Sequence, residues 1–336
     1  MSAAAQAQPN IALIKYWGKR DARLNLPAVG SISITLDRLW TRTCVRFDPQ
    51  LAVDQVQLDG RTDAGGATRV CACLDLLRRR AGIDLRARVE SWNNFPTGAG
   101  LASSASGFAA LVTAADAALG LGMSPAECSA LARQGSGSAA RSIFGGFVEW
   151  HRGQRPDGGD SVAEPLLAAA DWPLSVLVAI TSRAIKSVGS TEGMNRTAAS
   201  SPYWTAWLQA QMADLAQARA AIAGRDFERL AEVAEHSCLK MHALALAARP
   251  GLVYWNGATV EALHAVRALR AGGVPVFFTN DAGPQLKAIC LPSAAERVAR
   301  TLHAVPGVLE VVAAGLGEGA RLIGADQVGA ARAGAV

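Results

Sequence analysis

The sequence predicts an α+β fold organised in two halves, and three observations support this prediction. Short runs typical of strands alternate with helical segments through the first half. Long amphipathic helices are then predicted in succession after residue 203. Near the end, helix and strand alternate twice, which is typical of a sheet covered by helices.

In the first half, each predicted element follows from a local pattern. Strands are predicted at 31–37, 45–48 and 85–91, and helices at 103–119 and 125–134. The second helix has clear ends, because Ser124, Pro125 and Glu127 supply an N-cap, a proline at the first helical position and a capping-box acid. Gly135 is a natural stop for this helix.

In the second half, the predicted order is a strand, a helical block, and then alternating helix and strand. The elements are a strand at 174–182, helices at 203–223, 227–247 and 260–271, a strand at 274–279, a helix opened by a capping box of Ser293 and Glu296, and a strand at 308–314. The sequence pattern changes near 183–190, between the predicted strand at 174–182 and the helical block. We therefore expect an N-terminal domain over 1–185 and a C-terminal domain over 186–330.

Length and composition indicate a globular protein with a large core. The chain has 336 residues, of which 50% are apolar and 18% charged, a length of about two ordinary domains. The first ten residues lack a basic region followed by an apolar core, and the Ala-rich helical segments are broken by charges. We expect a cytoplasmic protein without a secretion signal or membrane span.

The cysteines and the net charge exclude some kinds of site and some kinds of binding partner. The six cysteines, at 44, 71, 73, 128, 238 and 290, form no C-x-x-C pair or Cys/His group with metal-ligand spacing, so we expect buried reduced thiols. The net charge of +5, from 33 basic and 28 acidic residues, comes without a long basic run or interleaved aromatics. This favours a small anionic substrate over nucleic acid or a membrane.

A glycine-rich segment, NNFPTGAGLASSASG at 93–107, lies between a predicted strand and a predicted helix. It lacks the third glycine of a dinucleotide-binding loop and the G-K-[ST] ending of a Walker loop. Gly98 and Gly100 would let the backbone approach an anion, and Ser103 and Ser104 would add hydroxyls at the positive end of the helix. A flexible turn capped by serines explains the composition equally well.

A second glycine- and serine-rich segment, GSGSAARSIFGG, covers residues 135–146. Its backbone donors and the guanidinium of Arg141 suit a carboxylate or phosphate, which arginine grips in bidentate fashion. A helix-to-helix connection with a surface arginine is the alternative. Two such loops in one chain favour the anion-binding interpretation.

Two further segments carry charged groups. In NIALIKYWGKRD, residues 10–21, Lys15 and Lys19 flank aromatic residues, and residues 15, 17 and 19 would share one face if the segment were a strand. In TNDAGPQLK, residues 279–287, Asp281 follows an apolar strand on a tight turn. A solvated edge and ordinary turn chemistry are the alternative interpretations.

Taken together, these segments resemble the diphosphomevalonate decarboxylase family of the GHMP kinase superfamily. The resemblance rests on NIALIKYWGKRD, NNFPTGAGLASSASG, GSGSAARSIFGGFVEW, STEGM at 190–194 and TNDAGP, in this order, and it runs from about residue 10 to about residue 314. It implies a two-domain α+β fold, with an N-terminal domain like ribosomal protein S5 domain 2 and a C-terminal ferredoxin-like sandwich. It also implies an active site in the cleft between the domains and a homodimer.

The resemblance implies a reaction as well as a fold. The family uses ATP and Mg²⁺ to phosphorylate the tertiary C3 hydroxyl of mevalonate 5-diphosphate, and then releases phosphate and CO₂ to give isopentenyl diphosphate. A paralogue that decarboxylates mevalonate 5-phosphate, a mevalonate 3-kinase, and a catalytically silent binding protein of the same fold are the alternatives.

The family's site residues transfer to matching positions of this sequence. Asp281 matches the acid at the C3 hydroxyl, Arg141 the arginine on the substrate carboxylate, and Lys15 a neighbour of the reacting groups. The expected substrate contacts are Tyr16, Lys19, Ser136, Gly137, Ser138, Arg141 and Thr191. The expected ATP contacts are Asn94, Gly98, Gly100, Leu101, Ala102, Ser103 and Ser104, with Ser104 also near the metal.

Three positions depart from the family pattern. Ala28-Val29-Gly30 replaces a common Asn-Ser pair, which predicts a lost polar group at the rim of the site. Gln285 stands where asparagine is usual, and Thr191 stands where some bacterial members carry an arginine directed at the diphosphate. These changes bear on the phosphorylation state of the substrate.

Overall fold

The computed structural model describes residues 1–62, 64–95, 103–184 and 186–329. In this part of the chain the strands are β1 (Ser2–Ala7), β2 (Asn10–Ile14), β3 (Lys19–Asp21), β4 (Leu26–Pro27), β5 (Ser31–Thr35), β6 (Thr41–Asp48), β7 (Gln55–Leu58), β8 (Arg86–Asn93), β9 (Phe147–Trp150), β10 (Ala163–Leu167), β11 (Ser175–Ile180), β12 (Val276–Thr279), β13 (Leu286–Cys290), β14 (Glu310–Ala314) and β15 (Arg321–Ile323).

Helices separate these strands and cover the sheets that they form. The α-helices are α1 (Ala64–Ala81), α2 (Ser103–Leu119), α3 (Pro125–Gly135), α4 (Ala139–Ser142), α5 (Ser190–Ser200), α6 (Trp204–Gly224), α7 (Phe227–Leu246), α8 (Gly257–Ala271), α9 (Ala295–His303) and α10 (Asp326–Gly329). The mixture confirms the α+β prediction.

One sheet of the N-terminal half has the order β15-β1-β6-β8-β7, antiparallel except for the β7–β8 pair. Helix α2 packs on β1 and β6, and α1 and α3 pack on α2. Alternate residues of β6, such as Val45 and Phe47, are buried against this layer, as expected for a sheet with one covered face. Packing of α2 on this sheet fixes the first turn of the helix, which carries Ser103 and Ser104, two of the predicted ATP contacts.

A second sheet, of order β10-β9-β5-β2, joins the two halves of the chain. Its strand β2 contacts α6 and α7, which come much later in the sequence. Ile11 and Ile32 share one core cluster with Leu215 and Leu230 of these helices. Burial of this apolar surface holds the N-terminal strands rigidly against the C-terminal helices.

The third sheet, of order β12-β13-β11-β14, is antiparallel and is covered by α8 and α9. Helix α7 crosses from β12 to β2. At that crossing the Thr279 hydroxyl donates to the Ala12 carbonyl over 3.2 Å, and the Lys15 amide donates to the Ser237 hydroxyl over 3.0 Å. The ends of β2 and β12 are therefore held side by side.

The predicted helix α3 is confirmed together with its ends. The Ser124 hydroxyl accepts from the Glu127 amide, the Glu127 carboxylate accepts from the Ser124 amide, and Pro125 is the first helical residue. The helix ends at Gly135, one residue later than predicted.

The capping box predicted at Ser293 and Glu296 is wrong. Residues 292–294 form a 3₁₀ turn that starts at Pro292, and α9 follows with Ala294 as its N-cap and no side-chain cap. Glu296 instead accepts a hydrogen bond from Arg300 one turn along the helix. Helices α1 and α5 and the pairing of β1 with β15 went unpredicted.

Residues 15–18 do not form a strand, because β2 ends at Ile14 and β3 begins at Lys19, so the condition for residues 15, 17 and 19 to share one face is not met. Trp17 turns into an apolar cluster, where its carbonyl accepts a hydrogen bond of 3.1 Å from the Trp207 indole. Lys15 and Lys19 consequently do not share one face of a strand.

All six cysteines are free thiols. Four are buried, as predicted, while Cys44 and Cys71 are partly exposed. Among the described residues, no helix combines the length and the apolar character needed to cross a membrane.

Gly135 lets α3 approach α2 closely, which yields a stability prediction. A Cβ on Gly135 would lie 2.1 Å from the Phe108 ring, whereas a Cβ on Gly224, the last residue of α6, would meet nothing within 4 Å. Gly135→Ala should lower the free energy of unfolding by about 1–3 kcal/mol through overpacking. Gly224→Ala, the matched control, should leave it unchanged or raise it by up to about 1 kcal/mol. Urea unfolding tests both, and equal effects would contradict this packing.

Candidate active site

The centre of the candidate site is an ion pair between the two halves of the chain. Asp281 lies in the turn between β12 and β13, and Lys15 follows β2 directly. The Lys15 Nζ atom donates to Asp281 Oδ1 over 2.8 Å and to the Ala12 carbonyl over 2.8 Å. The Lys15 side chain is 1% exposed, whereas that of Asp281 is 28% exposed. Only the carboxylate therefore offers a surface to a ligand.

A second lysine approaches the same carboxylate. Lys287 on β13 lies with its Nζ atom 3.5 Å from Asp281 Oδ2. Burial alone would raise the pKa of Asp281, but the charges of Lys15 and Lys287, and to a lesser degree Arg141, outweigh it and hold that pKa well below its usual range. Asp281 is therefore a carboxylate at neutral pH.

Arg141, in the short helix α4, is 2% exposed and is held by three hydrogen bonds. Its Nε and Nη2 atoms donate to Asn10 Oδ1 over 3.1 and 3.0 Å, and its Nη1 atom donates to the Ser31 hydroxyl. Burial lowers the pKa of Arg141 to about 10, although Asp281 opposes this shift. Arg141 thus stays charged, and it is near enough to Asp281 for the two charges to interact.

Serine side chains link the two glycine-rich segments. The Ser104 and Ser136 hydroxyls lie 3.1 Å apart, and Ser136 lies 3.4 Å from the Ser138 hydroxyl. Ser103 and Ser104 are the first residues of α2, whose 17 residues place a positive helix end beside these hydroxyls. The structure therefore brings the predicted ATP side and the predicted substrate side together at Ser104 and Ser136.

Four residues of the predicted phosphate loop, Gly98, Gly100, Leu101 and Ala102, lie outside the described residues. Asn94, just before them, donates from its amide to the Arg38 carbonyl over 2.7 Å and accepts from the Trp40 amide over 2.7 Å. Its side chain thus orders the approach to the loop, and ATP contact by Asn94 stays a prediction.

Tyr16 and Gly137 are packed against each other. A Cβ on Gly137 would lie 2.7 Å from the Tyr16 hydroxyl, so only glycine fits. That hydroxyl is buried and has no hydrogen-bond partner among the described residues, and burial raises its pKa. A buried polar atom of this kind is expected to find a partner in a ligand or water.

Lys19 and Thr191 meet at the exposed edge of the site. The Lys19 Nζ atom donates to the Thr191 hydroxyl over 3.4 Å. Burial, reinforced by the nearby Arg69 charge, lowers the pKa of Lys19. An anion bound near both Lys19 and Arg69 would relieve the repulsion between their charges.

A cavity of about 130 Å³ adjoins the first turn of α2. Its floor is apolar, with Val70, Val89 and Leu111, and hydroxyls of Thr41 and Ser104 line its walls. Arg69 stands at the same cavity. An apolar pocket with a few polar groups beside a helix N-terminus is typical of a nucleotide site.

Sequence reasoning missed several residues that complete the site. Asn10 binds Arg141 and also donates to Ser142 over 2.8 Å and to the Ser138 carbonyl over 3.0 Å. Lys186 donates to Ser190 over 2.9 Å and to the Ala282 carbonyl over 3.0 Å. Asn10 could have been found from the sequence, because it is a polar residue at the start of the apolar run NIALI. Nothing local indicated Lys186, whose partner Ala282 is distant in sequence, or Lys287, whose partner Asp281 lies across a turn.

At two of the three positions that depart from the family pattern, the substituted residues are buried and hold neighbouring segments together. Gln285 is buried, accepts from the Thr181 amide over 2.7 Å and donates to the Ser182 carbonyl over 2.6 Å, so it ties the turn of Asp281 to β11. Val29 is buried in an apolar cluster that includes Ala282. The substituted residues 28 and 29 therefore lie within the core and not at an open rim.

Fold and site together define a two-domain α+β protein of the GHMP kinase superfamily. Residues 7–163 match the model described as diphosphomevalonate decarboxylase-like N-terminal domain, and residues 176–314 match the mevalonate 5-diphosphate decarboxylase C-terminal domain. These matches extend over most of the chain.

Individual relatives agree with the family models. Diphosphomevalonate decarboxylase of Aspergillus fumigatus is 40% identical over 327 residues, covering 91% of this chain and 80% of its own. Mevalonate diphosphate decarboxylase from Staphylococcus aureus superposes with a TM-score of 0.91 at 39% identity, covering 96% and 98%. The MDDEF complex with MVAPP, AMPPCP and magnesium has a TM-score of 0.89 at 41% identity, covering 96% and 99%. The chain belongs to the diphosphomevalonate decarboxylase family.

A buried histidine behind the Asp281 turn gives a prediction of pH-dependent stability. His242 on α7 is 3% exposed, and its ring packs at a tilt against the Trp255 ring, with 4.4 Å between the ring centroids. Burial, reinforced by the Lys15 charge, lowers the pKa of His242 to about 3. The unfolded chain protonates below about pH 6.5 while the folded chain does not, so stability is lost as the pH falls through this range.

Replacing His242 by phenylalanine should remove this loss. Between pH 7 and pH 5, wild type should lose about 2 kcal/mol of unfolding free energy relative to His242→Phe. Met241→Leu, one residue earlier on α7, is the control and should follow the wild-type pH dependence. Urea unfolding at both pH values measures this, and parallel curves for wild type and His242→Phe would contradict it.

Proposed function

We propose that this protein catalyses the ATP-dependent decarboxylation of mevalonate 5-diphosphate to isopentenyl diphosphate, with release of ADP, phosphate and CO₂. The proposal is carried by two observations. Arg141 is near enough to Asp281 for their charges to interact. Asn10, which binds Arg141, also donates to the Ser138 carbonyl beside the hydroxyls of Ser136 and Ser104. Family membership supports the same reaction.

The chemistry explains why a kinase fold serves a lyase. A tertiary hydroxide is a poor leaving group, so the C3 hydroxyl first takes the γ-phosphoryl group of ATP and ADP is released. The C3–O bond then breaks with departure of phosphate, and the electrons of the bond to the carboxylate form the alkene as CO₂ leaves. The site must therefore hold a carboxylate, a hydroxyl and two phosphate chains together.

Arg141 is the proposed partner of the substrate carboxylate. Its guanidinium is already oriented by Asn10 and Ser31, so little reorganisation is required when substrate binds. Because burial strengthens its interaction with an anion, it can fix the carboxylate in the orientation that elimination requires.

Asp281 is the proposed partner of the C3 hydroxyl. Its low pKa makes it a weak base, which suits phosphoryl transfer because a loose transition state depends on positioning more than on basicity. We infer that Asp281 orients the hydroxyl and stabilises charge there. Lys15, paired with it, would stand near the transferred group.

The diphosphate is proposed to bind between the Tyr16 hydroxyl and the edge at which Lys19 meets Thr191. The Tyr16 hydroxyl needs a partner, and Lys19 and Arg69 supply positive charge. Ser136, Gly137 and Ser138 would complete this side with hydroxyls and backbone donors, as the sequence predicted.

ATP is proposed to bind across the first turn of α2. The cavity lined by Val70 and Thr41 is proposed to receive the nucleotide base, and Ser103 and Ser104 are proposed to contact the phosphates at the helix N-terminus. Gly98, Gly100, Leu101, Ala102 and Asn94 are proposed as further contacts. Mg²⁺, bound between phosphates with Ser104 as a proposed ligand, would neutralise their charge.

Four further expectations, on domain division, the position of the active site, assembly and location, are proposals on the same basis. We place the domain division at 1–185 and 186–330, with the active site in the cleft between the domains. We also propose a homodimer and a cytoplasmic location, both from family membership. Sedimentation analysis at micromolar concentration tests the dimer.

One observation favours a second candidate substrate. Thr191 supplies a hydroxyl where an arginine would face the diphosphate, which favours mevalonate 5-phosphate as the alternative substrate. An assay of ADP and CO₂ with mevalonate 5-diphosphate, mevalonate 5-phosphate and mevalonate decides between them. Equal ADP and CO₂ with the diphosphate supports the proposal, and preference for the monophosphate overturns it. ADP without CO₂ indicates a kinase, and neither product indicates a silent homologue.

Asp281→Asn should abolish most turnover while the fold and nucleotide binding persist. The amide cannot hold the C3 hydroxyl as a carboxylate does, so kcat should fall about 10³-fold or more. Asp214→Asn breaks another Asp–Lys pair, the one with Lys240, and should cost stability without a comparable loss of kcat. Near-normal kcat for Asp281→Asn would remove Asp281 from the mechanism.

Arg141→Lys should also impair turnover, because a point charge cannot replace a planar fork. We expect kcat/KM for mevalonate 5-diphosphate to fall about 100-fold. Arg133, equally buried but bound to the carbonyls of Leu24, Gly158 and Ser161, provides the control. Arg133→Lys should lower stability and leave turnover per folded molecule intact. Equal kinetic losses in both variants would show that Arg141 acts only through folding.

A further inference from the structure

Lys287 is a buried lysine at the site for which the proposed mechanism has no direct use. It lies on β13, is 0% exposed, and its Nζ atom is 3.5 Å from Asp281 Oδ2. Lys287 has no exposed surface, and its Nζ atom faces the Asp281 carboxylate. We therefore ask how Lys287 could act on the reaction through Asp281.

The two lysines hold different oxygens of one carboxylate. Lys15 reaches Oδ1 from the end of β2, and Lys287 approaches Oδ2 from β13. Rotation of the carboxylate about its Cβ–Cγ bond would break or weaken at least one of these contacts. The plane of the Asp281 carboxylate is therefore fixed from both sides, and its exposed edge keeps one direction.

Burying an ammonium group is unfavourable without a compensating anion. Burial lowers the pKa of Lys287, and the Asp281 charge opposes that shift. The pair is thus mutually dependent: Asp281 keeps Lys287 charged inside the protein, and Lys287 keeps Asp281 in one orientation.

Other polar and charged groups near Asp281 do not duplicate this contact. Lys186 binds Ser190 and the Ala282 carbonyl, and Arg141 is held by Asn10 and Ser31. From α7, Cys238 contacts the Asn280 backbone, and His242 packs on Trp255. Within the described residues, the ion pairs of Asp281 are those with Lys15 and Lys287.

We propose that Lys287 is a positioning residue for the decarboxylase reaction, which fixes the Asp281 carboxylate against the C3 hydroxyl without contacting substrate. The inference rests on the proposed function of Asp281. It predicts that loss of the Lys287 charge affects the reacting complex much more than substrate binding, because the substrate's own contacts remain.

Lys287→Met keeps the length of the side chain and removes its charge. We expect kcat to fall about 10- to 100-fold, while KM for mevalonate 5-diphosphate and for ATP changes less than about threefold. Lys240→Met is the matched control, since Lys240 is a largely buried lysine paired with Asp214 on α6. It should leave kcat within about twofold of wild type.

A double-mutant cycle with Asp281→Asn separates positioning from a structural effect. If Lys287 acts through the carboxylate, then Lys287→Met should change single-turnover CO₂ release less than about twofold in the Asp281→Asn background. The same substitution should cost at least about tenfold in the wild-type background. Additive losses in the cycle would overturn the proposal.

The outcomes also distinguish this inference from the function on which it rests. Normal turnover of Asp281→Asn would overturn the role of Asp281 itself. An inactive Asp281→Asn together with a fully active Lys287→Met would overturn only the role of Lys287. If Lys287→Met does not fold, Lys287→Gln serves in the same cycle, because its amide can still donate one hydrogen bond.

Discussion

The ion pair between Lys15 and Asp281 is the interaction on which the site depends. It joins residues 266 positions apart and is surrounded by packing between β2, α7 and β12. Such a pair is stable only where both charges find additional partners, because desolvation penalises each of them. Ala12 and Lys287 provide those partners. The two halves of the chain must therefore pack correctly before the carboxylate can take its working orientation.

The balance of charge around this pair suits a substrate with several negative groups. Lys15, Lys186, Lys287 and Arg141 surround the single carboxylate of Asp281, so these groups carry an excess of positive charge. A bound carboxylate and phosphates would neutralise that excess. Electrostatic groups fixed in advance in this way lower the cost of reaching a charged transition state, since they need not reorganise during the reaction. The apolar packing beneath the site, from Val29 to Ala282, keeps these groups in place.

Local patterns were sufficient for the parts of the structure that local forces determine. The capping box at Ser124 was readable because Ser124 and Glu127 are only three residues apart. Sequence-family resemblance then supplied the pairing of distant segments. Neither source indicated that Lys287 would lie under Asp281, that Asn10 would orient Arg141, or that Gln285 would tie the turn to β11. Those contacts arise from strand pairing and from α7 crossing two sheets, and the false capping box at Ser293 shows how a proline-led 3₁₀ turn overrides a local signal.

The most direct test is a crystal structure of the protein with mevalonate 5-diphosphate, AMPPCP and magnesium. We expect the substrate carboxylate within about 3 Å of the Arg141 guanidinium. We also expect the C3 hydroxyl within about 3 Å of the Asp281 carboxylate, and the diphosphate at Tyr16 and Lys19. A complex in which the C3 hydroxyl points away from Asp281, or in which Arg141 binds no part of the substrate, would contradict it.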